Sequence, residues 1–321
     1  MAFTDKYTFL RSGKQRKLYN SIGDEMINHQ YEVFLKVAEL GSFKKAADSM
    51  GYTQAGISYM MSTLENDLDI PLFVRNYGGV ALTSEGQELL PYIKEICNTS
   101  HTLQNKINEL KNLESGSLRI CVFTSIYVNL FPGLLKSFVK KYPNVDVEIK
   151  CCDETSQIMD MVKENDVDCA FVITPTNNHF YTQPLLDDPL YVILSKDHPL
   201  AAAPYFPISA LKEYPYVKLS NGIEIDAVFK EHNITPNIKI ISDNDYAIMA
   251  MVSENFGYGI QPELLLRNVS FPLTYKKLEK PAYRTVSLAT KSKATASSLT
   301  LAFMKHSKEW IEQTYTPLID D

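Results

Sequence analysis

At 321 residues the chain is long enough for two or three domains, and its 45% hydrophobic and 22% charged residues describe an ordinary globular protein. No apolar run nears the ~20 residues of a membrane span, and the N-terminus lacks the continuous apolar core of a secretory signal, so the cytoplasm is the expected compartment and no membrane partner is expected. The net charge of −6 denies the chain a global basic footprint, so any contact with nucleic acid must rest on local features.

Residues 1–25 carry a basic stretch at 11–17 and precede a second methionine, Met26. A disordered leader, a vector remnant and an upstream start all fit them. Residues 34–65 then read as two short helical patterns meeting at a tight corner, Gly51-Tyr52. Phe43, Ala46, Ala47 and Met50 form one apolar stripe; Ala55, Ile57, Met60, Met61 and Leu64 form the next. Small residues let the helices approach, and glycine permits the reversal. The outward face of the second helix keeps Thr53, Gln54, Ser58, Tyr59 and Ser62, the hydroxyl and amide groups that base edges and phosphates require. A helical hairpin with a polar solvent face has the same pattern. Over residues 26–115 seven basic residues oppose eleven acidic ones, a net of −4. No acid lies between Asp48 and Glu65, however, and Lys44, Lys45 and Arg75 stand near as phosphate partners.

Two short strand patterns, 73–75 and 80–82, flank Asn76-Tyr77-Gly78-Gly79, a hairpin turn and hence a wing after the helical pair. Thr83 is a natural N-cap, with Glu85 in the first turn of the following helix. Leu89, Ile93, Ile96, Leu103, Ile107 and Leu110 recur in a heptad with Ser100, and such a seam asks for a partner helix or for packing on its own domain. From Ser117 strands and helices alternate: 118–123, 129–142, 145–151, 156–164 and 168–173, then 190–195, 216–219, 226–232, 238–241, 246–255 and 257–261. The strand 285–289 and a final helix near 297–314 follow. This rhythm predicts a mostly parallel sheet covered on both faces. Cys97, Cys121, Cys151, Cys152 and Cys169 form no C-x-x-C pair and no Cys/His cluster, and the histidines are dispersed, so no metal or cofactor is expected. His198, in Asp-His-Pro-Leu, reads as a structural turn.

Phe34, Val37, Gly41-Ser42-Phe43, Ala46-Ala47, Thr53-Gln54-Ala55, Ser58, Leu64-Glu65, Leu68, Leu72-Phe73, Arg75, Val80, Leu82-Thr83 and Gly86, in that order and spacing, resemble the LysR-type transcriptional regulators. The resemblance runs over roughly 27–311. Leu118-Arg119-Ile120, Leu130-Phe131-Pro132, Asp168-Cys169-Ala170, Asp197-His198-Pro199-Leu200 and residues 257–262 resemble the two-lobed, periplasmic-binding-protein-like effector domain of the same family. The implied fold class is α/β: a winged helix-turn-helix over 26–83, a linker and dimerisation helix over 84–116, and an effector domain over 117–315, with a tail at 316–321. Lobe one would hold 117–174 and 286–315, and lobe two 180–280. The implied DNA-binding set is Ser42, Lys44, Lys45, Thr53, Gln54, Ala55, Ser58, Tyr59, Ser62 and Arg75. This chain departs from the family pattern at Tyr59, where an arginine is common, and at Asp69, where glycine is usual. A tyrosine cannot make the bidentate guanine contact of an arginine, so no operator sequence carries over.

In such a domain a small molecule binds between the lobes at strand ends and helix N-termini. Thr124, Ser125, Thr155, Ser156, Gln157, Ser220, Asn221 and Gln261, with Tyr127 and Asn129 beside them, are the expected lining, uncharged and suited to a small polar effector such as a carboxylate. The expected partners are double-stranded promoter DNA, that effector, a second copy or three further copies of the chain, and RNA polymerase. Two alternatives stand beside this reading: a ligand-binding module whose head only oligomerises, and a thiol-based redox sensor using Cys121, Cys151, Cys152 or Cys169. No residues pair a nucleophile with a base, so no enzyme is expected.

Overall fold

The computed structural model describes residues 29–76, 79–110, 115–174 and 179–316, without the side chains of Arg75, Asn76 and Glu109. The leader at 1–25 and the hairpin tip Tyr77-Gly78 lie outside the described residues. The chain divides into two compact units, 1–104 and 105–321.

The first unit holds α1 (29–40), α2 (Phe43–Met50), α3 (Gln54–Leu68), the hairpin β1 (Phe73–Asn76) and β2 (Gly79–Leu82), and most of α4 (Ser84–Leu110). Ser42 Oγ accepts the Lys45 amide to cap α2, and Thr53 Oγ1 accepts the Gly56 amide to cap α3. Gly51 closes α2 in the left-handed region at φ 73°, which makes the corner between the two helices. Val33, Phe34, Phe43, Ala46, Ile57, Met61 and Leu64 form one core. The inward face of α3 is therefore Ile57, Met61 and Leu64, spaced by four and three, and Ala55 is exposed instead of lying on that stripe. The Glu65 carboxylate accepts the amides of Leu72 (2.7 Å) and Phe73 (3.0 Å), tying the wing to the end of α3. At the other end of the hairpin the Val80 amide donates to Gly41 O, and a Cβ on Gly79 would stand 2.7 Å from that same oxygen.

The expected heptad seam on α4 divides. Leu89 and Ile93 pack into the core of the first unit, because the opening turns of α4 lie against it, and they are withdrawn from an open seam. Ile96, Leu103 and Leu110 are exposed, as is Tyr92, while Ile107 is half-buried.

The second unit contains a six-stranded sheet in the order β4 (Asn144–Cys151), β3 (Ser115–Val122), β5 (Cys169–Thr174), β10 (Leu273–Thr290), β6 (Tyr181–Ser195), β9 (Gly259–Pro262). Strand β3 pairs parallel to β4 and β5, as the β-α-β-α-β rhythm predicts. The pairings β10–β5, β10–β6 and β6–β9 are antiparallel, so the sheet is mixed where a mostly parallel one was expected. Its long strands were legible only at their apolar ends: 181–189 and 273–284 carry Pro184, Pro189 and Pro281 among charges, which masks strand periodicity.

Lobe one is completed by α5 (Thr124–Asn129), α6 (Phe131–Lys141), α7 (Thr155–Lys163) and α12 (Ser298–Thr314). The single helix expected over 129–142 breaks at Leu130, where Pro132 restarts it as α6. Lobe two holds α8 (Ala210–Glu213), β7 (Pro215–Leu219), α9 (Ile223–Glu231), β8 (Asn237–Ser242), α10 (Asp245–Ser253) and α11 (Glu263–Leu266). Strands β7 and β8 are parallel and join the main sheet through the bridge between Tyr216 and Tyr258. Strands β6 and β10 run through both lobes: 285–289 of β10 pair with β5 in lobe one, and 273–277 pair with 195–191 in lobe two. Among the described residues no helix is long and apolar enough to cross a membrane.

Asp69 ends α3 in the left-handed region at φ 55°, where a Cβ is strained and an acid opposes the negative helix end. Asp69→Gly should therefore stabilise the first unit by about 0.5–1.5 kcal/mol. Calorimetry should place the melting transition of that unit a few degrees higher; an unchanged or lower transition would contradict the assignment of strain.

Candidate DNA-reading face and effector cleft

With Ile57, Met61 and Leu64 buried, α3 turns Gln54, Ala55, Tyr59 and Ser62 outward, and Tyr59 is 74% exposed. Ser58 is half-buried on the flank of that face. Ser42 and Thr53 serve first as helix caps, which leaves their hydroxyl hydrogens free to be donated outward. Lys44 and Lys45 are exposed on α2. Arg75 sits in β1 opposite Val80, and its side chain lies outside the described residues. Exposure along one face thus brings an amide, hydroxyls and a phenol together on a helix with no acid before Glu65.

In the second unit a cavity of about 300 Å3 opens between the lobes, in the range of small-molecule sites. Five expected residues line it: Thr124, Ser125, Thr155, Asn221 and Gln261. Ser156, Gln157 and Ser220 do not, and neither do Tyr127 and Asn129. Ser156 turns its hydroxyl to Glu154 Oε1 (3.1 Å), Gln157 Oε1 accepts the Cys152 thiol (3.6 Å), and the Ser220 amide is spent on Ser242 O. Asn129 instead donates to Leu264 O at 2.7 Å.

The larger correction concerns charge. An uncharged lining was expected, yet Asp153, Glu154, Glu224, Asp243 and Asp245 line the cavity, with Arg284 as the basic residue among them. Asp153 receives the Thr124 amide (2.7 Å) and hydroxyl (2.6 Å), which fixes the start of α5 to the end of β4. Glu154 accepts the Asn221 amide across the cleft at 2.8 Å, a direct tie between lobes. These acids were hidden in the sequence because Asp153-Glu154 and Asp243-Asn244-Asp245 precede helices, where acids commonly serve as caps. Asn244 does cap α10 through the Ala247 amide.

Arg284 lies in the part of β10 that sequence reasoning left unassigned. It stands directly opposite Asp188 of β6, and both are buried. Its Nε and Nη2 donate to Asp188 Oδ2 at 2.9 and 2.8 Å, Nη2 also donates to Ser125 Oγ at 2.7 Å, and Nη1 stands 3.6 Å from Glu224. Asp188 Oδ1 accepts the Leu264 amide. Burial pushes the Asp245 carboxyl above the usual range, Asp153 and Glu224 push it further, and Gln261 and Arg284 oppose the shift.

Burial also pushes the thiols up, Cys97 to about 11 and Cys121 to about 12, with Cys152 and the fully buried Cys169 raised as well. Burial thus disfavours thiolate at Cys121, Cys152 and Cys169, three of the four cysteines of the redox-sensor alternative, while Cys151 is exposed. His198 is a turn residue, its Nδ1 accepting the Leu200 amide.

A small helical head with an exposed polar reading helix, and a two-lobed α/β unit with a polar cleft, define a ligand-responsive DNA-binding regulator. The family model "LysR substrate binding domain" matches residues 111–312, and "Bacterial regulatory helix-turn-helix protein, lysR family" matches 28–87. The chain belongs to the LysR family of DNA-binding transcriptional regulators with an effector-binding domain. It is 27% identical to the uncharacterised regulator YvbU of Bacillus subtilis (strain 168), over 87% of this chain and 97% of that one. It shares the fold of full-length CbnR solved with its target DNA, with a TM-score of 0.66, 18% identity and coverage of 88% of this chain and 99% of that one. The effector-binding domain of QuiR, solved with shikimate, matches with a TM-score of 0.57, 21% identity, and coverage of 63% of this chain and all of that one.

Replacing Arg284 with Met leaves Asp188 buried and unpaired. By the usual cost of breaking a buried ion pair, the second unit should lose about 3–5 kcal/mol in urea unfolding. A loss below about 1 kcal/mol would show that the pair holds nothing in place.

Proposed function

We propose that α3 enters the major groove of promoter DNA and reads it through Gln54, Ser58, Tyr59 and Ser62, with Thr53 and Ser42 at phosphates and Lys44, Lys45 and Arg75 supplying charge. The exposed polar face of α3 carries this reading, because its inward face is already spent on the core. CbnR, which shares the fold, was solved on its target DNA. Residues 26–83 act as the reading head, 84–116 as the linker, and 117–315 as the effector domain. Two copies associate through the exposed stripe Ile96, Leu103 and Leu110 of α4, with Ile107 beside it, placing two heads on successive half-sites. A small molecule in the cleft of the second unit controls the affinity by preferring one arrangement of the assembly.

Fluorescence anisotropy on a labelled duplex from its own promoter region tests the reading helix. Gln54→Ala and Tyr59→Ala should each weaken specific binding by about tenfold or more, since a base contact carries about 1–3 kcal/mol. The three basic residues assigned here give a dimer about six charged phosphate contacts, so the slope of log K against log salt should be about −5. Full affinity in both variants would overturn the assignment of α3.

A further inference from the structure

The cleft carries more information than its position in the fold. Its acids come from both lobes, Asp153 and Glu154 from the first and Glu224, Asp243 and Asp245 from the second. Among the described residues the one basic residue of the lining is already matched: Arg284 spends two of its N–H groups on the buried Asp188 and leaves Glu224 at 3.6 Å. The hydrogen bonds that Asp153 and Glu154 accept come from neutral donors, which orient the carboxylates without cancelling their charge. A ligand carboxylate entering this space would meet five acids and a guanidinium that is already engaged.

Gln261 supplies an independent observation. It is 1% exposed and lines the same cavity, and among the described residues neither its Nε2 nor its Oε1 has a hydrogen-bond partner of good geometry. Gln261 lies near enough to the Asp245 carboxyl to oppose its upward shift, yet the two miss the geometry of a hydrogen bond, and both amide atoms stay unmatched. A buried amide left in this state is a cost that native proteins accept where a ligand or a water completes the site. Among the described residues no group of three or more His, Cys, Asp or Glu side chains could hold a metal ion, so the cleft acids do not close tightly enough to coordinate a bare cation. Such carboxylates match a charge carried on a flexible organic chain better than a bare cation.

We propose that the effector of this chain is a small organic cation, an aliphatic amine or guanidine whose protonated group lies among Asp243, Asp245 and Glu224, with a second polar group bonded to Gln261. This assignment rests on the cleft being the effector site. It reverses the anionic effector that an uncharged lining would suit.

Isothermal titration calorimetry on the full-length protein tests it with 1,5-diaminopentane, agmatine and L-lysine as cations and with glutarate as the anion of matched carbon length. At least one cation should bind saturably at one site per chain, and glutarate should not bind. Asp243→Asn and Asp245→Asn should each weaken that cation by about tenfold or more, the loss expected for a charge-assisted hydrogen bond. Asp243 is exposed, so its variant reports even where Asp245→Asn folds poorly. No binding by any of the three cations, or undiminished binding in both variants, overturns the assignment. Thr155→Trp, which fills the cleft from the start of α7, separates the two levels of the argument. Glutarate binding that Thr155→Trp abolishes would keep the cleft and reject the cation. Probe binding that Thr155→Trp leaves intact would reject the cleft as the site.

Discussion

The pairing of β6 with β10 is the constraint on which the second unit depends. The two strands are antiparallel neighbours from Tyr181 to Ser195 and from Leu273 to Thr290, and each belongs to both lobes. Asp188 and Arg284 face each other in the middle of this ribbon, at the level where the lobes part. A buried ion pair is poor evidence of net stability, since desolvation offsets much of the attraction. Its physical consequence here is one of register and direction: a slip of one residue would bury each charge without the other. The same guanidinium reaches Ser125 at the start of α5 and stands near Glu224 on α9, so one side chain joins strand ribbon, first lobe and second lobe.

That arrangement explains how the cleft can be acidic and still have a guanidinium in its wall. Arg284 is committed to the ribbon, which leaves the carboxylates at the helix starts as the groups facing the open space. Asn221 already spans the gap to Glu154, so the lobes touch through a bond between neutral and charged partners. A ligand that controls the chain from this cleft, as proposed, must bind one arrangement better than another.

Much of this was legible in the sequence, and the failures share a cause. The helical pair, the wing, the Thr83 cap and the βαβαβ start of the second unit followed from periodicity and caps, because local residues specify them. The family resemblance located the loops Thr124-Ser125 and Thr155 and the strand carrying Gln261. What could not be read was long-range. Pairing across about a hundred residues joins Asp188 to Arg284, and nothing within either segment announces it. The acids Asp153, Asp243 and Asp245 stand just before or at the start of α7 and α10, where local sequence gives an acid an ordinary capping place, and only the fold gathers them on one cavity. In the same way, spacing on α4 could not tell Leu89 and Ile93, which face their own core, from Ile96, Leu103 and Leu110, which face outward.

The reading head presents a complementary economy. The outward face of α3 is nearly uncharged, with Tyr59 exposed on it; on the proposed reading, amide, hydroxyl and aromatic contacts would read the sequence and two paired heads would supply the affinity. The central claim is that what fills the cleft governs what α3 holds. The most direct measurement is the affinity for a promoter duplex with and without a ligand that calorimetry has shown to occupy the cleft, in the wild-type chain and in Thr155→Trp. The account predicts a ligand-dependent change in Kd of roughly 5–150-fold, the usual span of allosteric coupling, and its loss when the cleft is filled. An affinity that stays the same while the ligand is bound would contradict it.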